Sequence, residues 1–190
     1  EENGLHGAAF IPSDGYVDPS ALCSAIANAA RKYGAQINQN IAVLDFITND
    51  RRIKEVKTSN CVYEVENVIL AAGMWSRELG AKLGIKVPTC AVEHQYIITE
   101  PTGIEVGHYP TLRDPERLVY YKPDVGGRLV IGGYEENTIP FGNPMIPGDF
   151  IRQLLPENLD RFLPLAALAG EVTPIVTVSY THLTLPTRLS

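Results

Sequence analysis

The stretch that most constrains this chain is Asn67-Val68-Ile69-Leu70-Ala71-Ala72-Gly73-Met74-Trp75-Ser76. Its apolar run, Val68 to Ala72, is too short for a buried helix and suits a strand covered on both faces of a parallel sheet. Ser76 to Leu83 then reads as a helix, closed by Gly84. Strand, small-residue turn and helix form the unit with which open α/β sheets present a ligand at the carboxyl end of a strand. Ala71, Ala72 and Gly73 leave backbone open to a flat or phosphorylated ligand. An ordinary turn packed with alanines has the same pattern.

The segments around this stretch fall into two kinds. Asp18-Pro19 is a helix start, with an N-cap acceptor followed by a proline at the first helical position. Leu22, Ile26, Ala29, Ala30 and Tyr33 share one face of that helix, and Gly34 is its stop. Residues 35–38 and 41–47 read as strands, and 53–58 with 62–65 as a hairpin through Ser59-Asn60. From Pro88 the pattern becomes antiparallel, with strands at 91–99, 118–122 and 128–134. Residues 138–148 are a Pro/Gly-rich loop, and 150–155 and 158–168 look helical. The expected division is an α/β part at 1–87, an antiparallel part at 88–150 and a helical segment at 151–177. Residues 178–190 are Thr-rich, without cap or clear period, and are set aside as a non-native tail resembling a translated sequencing adaptor.

Several classes are disfavoured. A net charge of -6 without any Lys/Arg-rich run argues against a nucleic-acid partner. No apolar stretch approaches membrane-spanning length, and no signal peptide is visible. The three cysteines, Cys23, Cys61 and Cys90, form no CxxC pair, so they read as reduced, small apolar residues and no metal site is expected. The expected location is cytoplasmic, or the mitochondrial matrix in a eukaryote.

Four segments together resemble one family. Phe10 to Pro19 is similar to the segment before the second helix of FAD-dependent amine oxidoreductases, and Ala71 to Ser76 to their flavin-contacting turn. Val92-Glu93-His94-Gln95-Tyr96 narrows the likeness, together with the stretch from Leu112 through Tyr120-Tyr121 to Gly132-Gly133-Tyr134-Glu135. These segments resemble the dimethylglycine and sarcosine dehydrogenase branch of the D-amino-acid oxidase-like superfamily. The resemblance covers residues 7–162 and implies a mixed α/β and α+β fold: a partial Rossmann-like FAD-binding domain with an antiparallel-sheet substrate domain. It also implies oxidative N-demethylation of a small N-methylated amino acid by hydride transfer to FAD. Electrons would pass to a flavoprotein carrier or to oxygen, and tetrahydrofolate is a further cofactor expected of a full-length relative. A non-catalytic regulatory homologue and an oxygen-using amine oxidase are the competing readings.

Residue roles follow from the same resemblance. His94 and Tyr120 match the catalytic pair beside flavin and substrate. Val43, Ala72, Gly73 and Trp75 match cofactor contacts, with Tyr120 touching the flavin as well, although Trp75 taken alone reads as packing. Tyr96, Arg113 and Gly133 are the substrate-binding candidates; Arg113 can meet a carboxylate, or pair with its neighbour Asp114 instead. The chain departs from the family in lacking the Gly-x-Gly-x-x-Gly turn that holds the pyrophosphate, and reads as the middle of a longer protein.

These residue types suit the chemistry. Amine oxidation needs an unprotonated nitrogen, and an enclosed apolar site disfavours the charged amine. A neutral histidine can accept a proton from the amine or hydrogen-bond it, and a tyrosine hydroxyl can donate to a carboxylate. Strand alternation sets His94 and Tyr96 on one face and Gln95 on the other, and likewise separates Tyr120 from Tyr121. Gly132 and Gly133 would leave room for a ring system.

Without the phosphate-cradling turn, these 190 residues expressed alone should bind FAD weakly or not at all. Purification of the fragment with tightly held, stoichiometric yellow flavin would overturn that expectation.

Overall fold

In a computed structural model of the chain, which describes residues 6–151, 153–173 and 187–189, the contacts fall into two units. One takes in Val17–Cys90 and Gly142–Pro147, the other Glu1–Tyr16, Ala91–Phe141 and Gly148–Ser190.

The first unit opens with helix α1 (Pro19–Lys32), whose N-cap Asp18 accepts from the Ala21 N–H at 2.6 Å. Gly34 follows it at φ 89°, the left-handed conformation that ends helices at glycine. A meander of β1 (Val43–Asn49), β2 (Arg52–Thr58) and β3 (Val62–Glu64) comes next, in the order β1-β2-β3. Asp50 and Arg51, both at positive φ, join β1 to β2, which is the turn geometry that matches strand twist. After a single 3₁₀ turn (Gly73–Trp75), helix α2 spans Ser76–Ala81.

Three expectations for this unit are corrected. Val68 to Ala72 forms no strand, and Ile69 is 91% exposed. A strand covered on both faces needs neighbours to accept its ladder, and the sheet β1-β2-β3 includes no residue of this run. Residues 35–38 are likewise without strand structure. All three cysteines are exposed, rather than filling core space.

The second unit is built on the antiparallel order β5-β6-β7-β4-β8. Its strands are β4 (Glu93–Ile98), β5 (Leu112–Asp114), β6 (Val119–Asp124) and β7 (Arg128–Gly133), with β8 (Thr187–Leu189) at the far edge. Helix α3 (Leu159–Val172) begins at Asn158, whose side chain accepts from the Arg161 N–H, and runs past Pro164. One sheet face supplies Ile97, Val119, Tyr121 and Ile131 to a core completed by Phe162, Leu165, Ala166 and Ala169 of α3. Those sheet residues alternate with outward-facing ones, as a sheet packed on one side requires. Residues 150–151 and 153–155 are not helical, which corrects the helix expected there. Thr187–Leu189, within the stretch set aside as a non-native tail, pairs with Glu93–Gln95 of β4; residues 178–186 and 190 lie outside the described residues.

The core ranks two substitutions. Phe162 is 1% exposed, so Phe162→Ala removes a whole ring and should cost about 3–5 kcal/mol. Tyr121 donates from its hydroxyl to the Ala169 carbonyl at 2.8 Å. That carbonyl also accepts from the Thr173 N–H, so Tyr121→Phe leaves it satisfied and should cost only about 0.5–1 kcal/mol. Urea unfolding of the intact protein would check the order; equal losses would contradict it.

Candidate active site

The sheet of the second unit carries aromatic and charged residues on the face turned away from α3. Its register sets Tyr96 beside Gly132, Gly132 beside Tyr120, and Tyr120 beside Arg113. Directly paired residues share a face, so Tyr96, Tyr120 and Arg113 project to one side. His94 lies two residues before Tyr96, and Tyr134 two after Gly132, so both join that side.

Tyr134 is the centre of this group. The His94 ring meets it edge-on at 5.8 Å between centroids, with an 83° interplanar angle. The Tyr120 ring lies 6.1 Å away, and the Arg113 guanidinium sits 4.7 Å over its face, within cation–π range. Sequence reasoning gave Tyr134 no role of its own. The signal that could have found it is its spacing of two from Gly132, which repeats the step from His94 to Tyr96.

Gly132 is a glycine for a reason visible here: a Cβ there would collide with the Tyr120 phenol. The space expected to admit a ligand ring at Gly132 is therefore taken by the Tyr120 phenol. Gly133 is placed away from the other candidates. It faces α3, and a Cβ on it would collide with Leu165 and the Leu118 carbonyl.

Arg113 does not pair with Asp114. The Asp114 carboxylate instead binds Arg117 Nη1 at 2.9 Å and accepts from the backbone N–H groups of Glu116 and Arg117. Burial alone would raise the Asp114 pKa, but the Arg117 and Glu116 donors and the Arg117 charge outweigh it and hold the carboxyl below its usual value. Arg113 is thus exposed on its strand, over the Tyr134 ring and available to an anion.

Two features of this face call for a ligand. The His94 Nδ1 is buried and has no hydrogen-bond partner among the described residues, a costly state unless something binds there. The Tyr120 hydroxyl has its pKa raised, chiefly by burial and then by the nearby Tyr134 and Tyr96 phenols, so it stays a neutral donor. Aromatic rings beside an unsatisfied imidazole and a neutral phenol can stack on and hydrogen-bond a planar polar ligand.

In the other unit, Gly73 holds φ 56° with nothing within 4 Å of where a Cβ would lie. It shares the 3₁₀ turn with Trp75, and the Trp75 N–H donates to the Ala72 carbonyl at 3.2 Å. Ala72, Gly73 and Trp75 are thereby brought into one turn whose backbone is open on the Gly73 side. Val43 stands apart from that turn, at the start of β1 and 38% exposed. Among the described residues no group of His, Cys, Asp or Glu could hold a metal, and no helix is long and apolar enough to cross a membrane.

Comparison with known proteins gives this geometry its class. The chain resembles L-proline dehydrogenase from P.horikoshii in fold, with a TM-score of 0.75 at 23% identity over 94% of this chain and 45% of that one. Residues 1–184 match the family described as DAO, FAD dependent oxidoreductase, and the chain belongs to that family, whose cofactor is FAD. It is 32% identical over 172 residues to 4-methylaminobutanoate oxidase (formaldehyde-forming) of Paenarthrobacter nicotinovorans, covering 90% of this chain and 21% of that protein. It is 36% identical over 141 residues to mitochondrial sarcosine dehydrogenase of Mus musculus, covering 71% of this chain and 15% of that protein. The chain therefore spans only a small part of the length of these relatives.

Two titrations follow. The Tyr120 pKa is raised in the folded state, so Tyr120 adds no penalty below the ordinary tyrosine value of about 10. Stability is lost as pH climbs through the higher folded value. The Asp114 pKa is lowered, so its contribution is present above the ordinary aspartate value of about 4 and fades as pH falls through the folded one. Ultraviolet difference titration of wild type against Tyr120→Phe should place this phenolate above the ordinary range. Ionisation of Tyr120 near pH 10 would contradict the burial argument.

Proposed function

We propose that the protein of which this chain is part oxidises a small secondary or tertiary N-methylated amino acid of the sarcosine or dimethylglycine type, removing the N-methyl group. The observation that carries the reading is the unpartnered His94 Nδ1 on the same sheet face as Tyr120, Tyr134 and Arg113. FAD, when bound, supplies the two-electron acceptor for the N-methyl C–H bond. Names among the relatives support the substrate class: sarcosine dehydrogenase and dimethylglycine dehydrogenase of Mus musculus act on N-methylated glycines.

The chain's own residues have separate tasks in this reading. Arg113, held over the Tyr134 face, meets the substrate carboxylate. His94 presents Nδ1 to the substrate amine and keeps the nitrogen lone pair free by accepting its proton. Tyr120, a neutral donor, hydrogen-bonds the carboxylate or the bound flavin. Its ring, laid over Gly132, keeps water from that part of the sheet. Tyr96, two residues from His94, borders the same face. Ala72, Gly73 and Trp75 are assigned to cofactor binding on the family resemblance, with Val43 at the adenine end.

The test uses the full-length flavoprotein with sarcosine, dimethylglycine and 4-methylaminobutanoate, following formaldehyde release. An artificial electron acceptor and dissolved oxygen, supplied in turn, separate a dehydrogenase from an oxidase. Activity on at least one of these amines is expected, and a flavin that none of them reduces would remove the reading in favour of a non-catalytic homologue. His94→Ala and Tyr120→Phe should each lower turnover about 10- to 10⁴-fold, with flavin content near that of the wild type. Loss of flavin in either variant would show that the residue holds the cofactor instead.

A further inference from the structure

Arg161 of α3 reaches two carboxylates at once. Its Nη1 donates to Glu93 Oε2 at 3.0 Å and its Nη2 to Glu135 Oε2 at 2.7 Å. The Arg161, Glu93 and Glu135 side chains are 18%, 23% and 12% exposed, so solvent screens them little. Glu93 immediately precedes His94 in the chain, and Glu135 immediately follows Tyr134.

The residue on the other side of His94 is tied to the same helix. Gln95 is 3% exposed, and its Oε1 accepts from the Asn158 N–H at the start of α3, at 2.9 Å. Its Nε2 donates to Glu135 Oε1 at 3.5 Å. The paired residues of β4 and β7 run only from Tyr96–Gly132 to Ile98–Val130. His94 and Tyr134 lie beyond that end: there β4 pairs with β8 and the Tyr134 N–H donates to the Leu118 carbonyl, and the ties between residues 93–95 and Glu135 are the side chains of Arg161 and Gln95. Two carboxylates brought together there repel each other unless a cation stands between them.

We propose that Arg161 is a positioning residue for the His94–Tyr134 pair, a role that rests on the reading of His94 as a catalytic residue. Successive strand residues point to opposite faces. Anchoring residues 93, 95 and 135 on the α3 side therefore fixes the backbone from which His94 and Tyr134 project on the other side. The guanidinium is suited to this because its planar fork serves both carboxylates together. A lysine ammonium, a point charge on a flexible stem, holds one carboxylate well or two poorly.

The experiment uses the full-length flavoprotein and the amine that it turns over fastest. Arg161→Gln should lower kcat about 10- to 100-fold, the scale of a misplacement near one ångström, with KM little changed. In a His94→Ala background the same substitution should cost nothing further, because both changes act on one group. Arg161→Lys should fall between wild type and Arg161→Gln. A second readout is independent of activity: in histidine-labelled protein, the His94 ring-proton resonance, assigned by its loss in His94→Ala, should move in Arg161→Gln as the edge-on contact with Tyr134 loosens. Equal losses of kcat in both backgrounds would overturn the proposal and make Arg161 a general support. So would an unmoved resonance, or failure of both Arg161 variants to fold. Wild-type turnover in His94→Ala would instead overturn the catalytic reading of His94, and with it any catalytic consequence of the clamp; the resonance would still report whether Arg161 holds the ring.

Discussion

The packing of α3 against one face of the sheet is the contact on which the candidate site depends. Ile97, Val119, Tyr121 and Ile131 from three strands meet Phe162, Leu165, Ala166 and Ala169, and this layer is the buried core of its unit. Because side chains alternate along a strand, committing these positions to α3 commits their neighbours to the other side. His94, Tyr96, Tyr120, Arg113 and Tyr134 share a face because the residues between them are held by α3.

The two glycines of β7 show how closely the faces are coupled. Gly133 faces α3 and admits Leu165, and Gly132 faces the other way and admits the Tyr120 phenol. With a side chain at either position, one face would have to shift, and with it the register that sets Tyr120 beside Gly132. The polar ties on the α3 side extend the same principle. Glu93, Gln95 and Glu135 are spent on Arg161 and Asn158, leaving His94 and Tyr134 to the open face.

Much of this was legible beforehand. The strand readings at 91–99, 118–122 and 128–134 were right, and the alternation of side chains along a strand separated His94 from Gln95 and Tyr120 from Tyr121. The Asp18-Pro19 start and Gly34 stop of α1 were local signals, decided by capping and by a left-handed glycine, and the structure forms both. Val68 to Ala72 failed for a non-local reason. An apolar run records that a strand can be buried, but a strand exists only beside another that accepts its hydrogen bonds, and β1-β2-β3 does not take it in. Residues 150–155 were ambiguous for a similar cause, since a short apolar pattern without a cap does not separate helix from loop.

The sequence by itself determined the family, through the resemblance of motifs in four segments, and it determined the strands and the alternation that divides their side chains, because these depend on residues near one another in the chain. Tertiary structure alone decided the centrality of Tyr134, the turning of Arg113 toward that ring rather than toward Asp114, and the placement of Gly133 against α3. It also decided the bridge from Arg161 to Glu93 and Glu135. Each of these joins residues on different elements, and which strand lies beside which, and in what register, is set by packing between segments far apart in the chain.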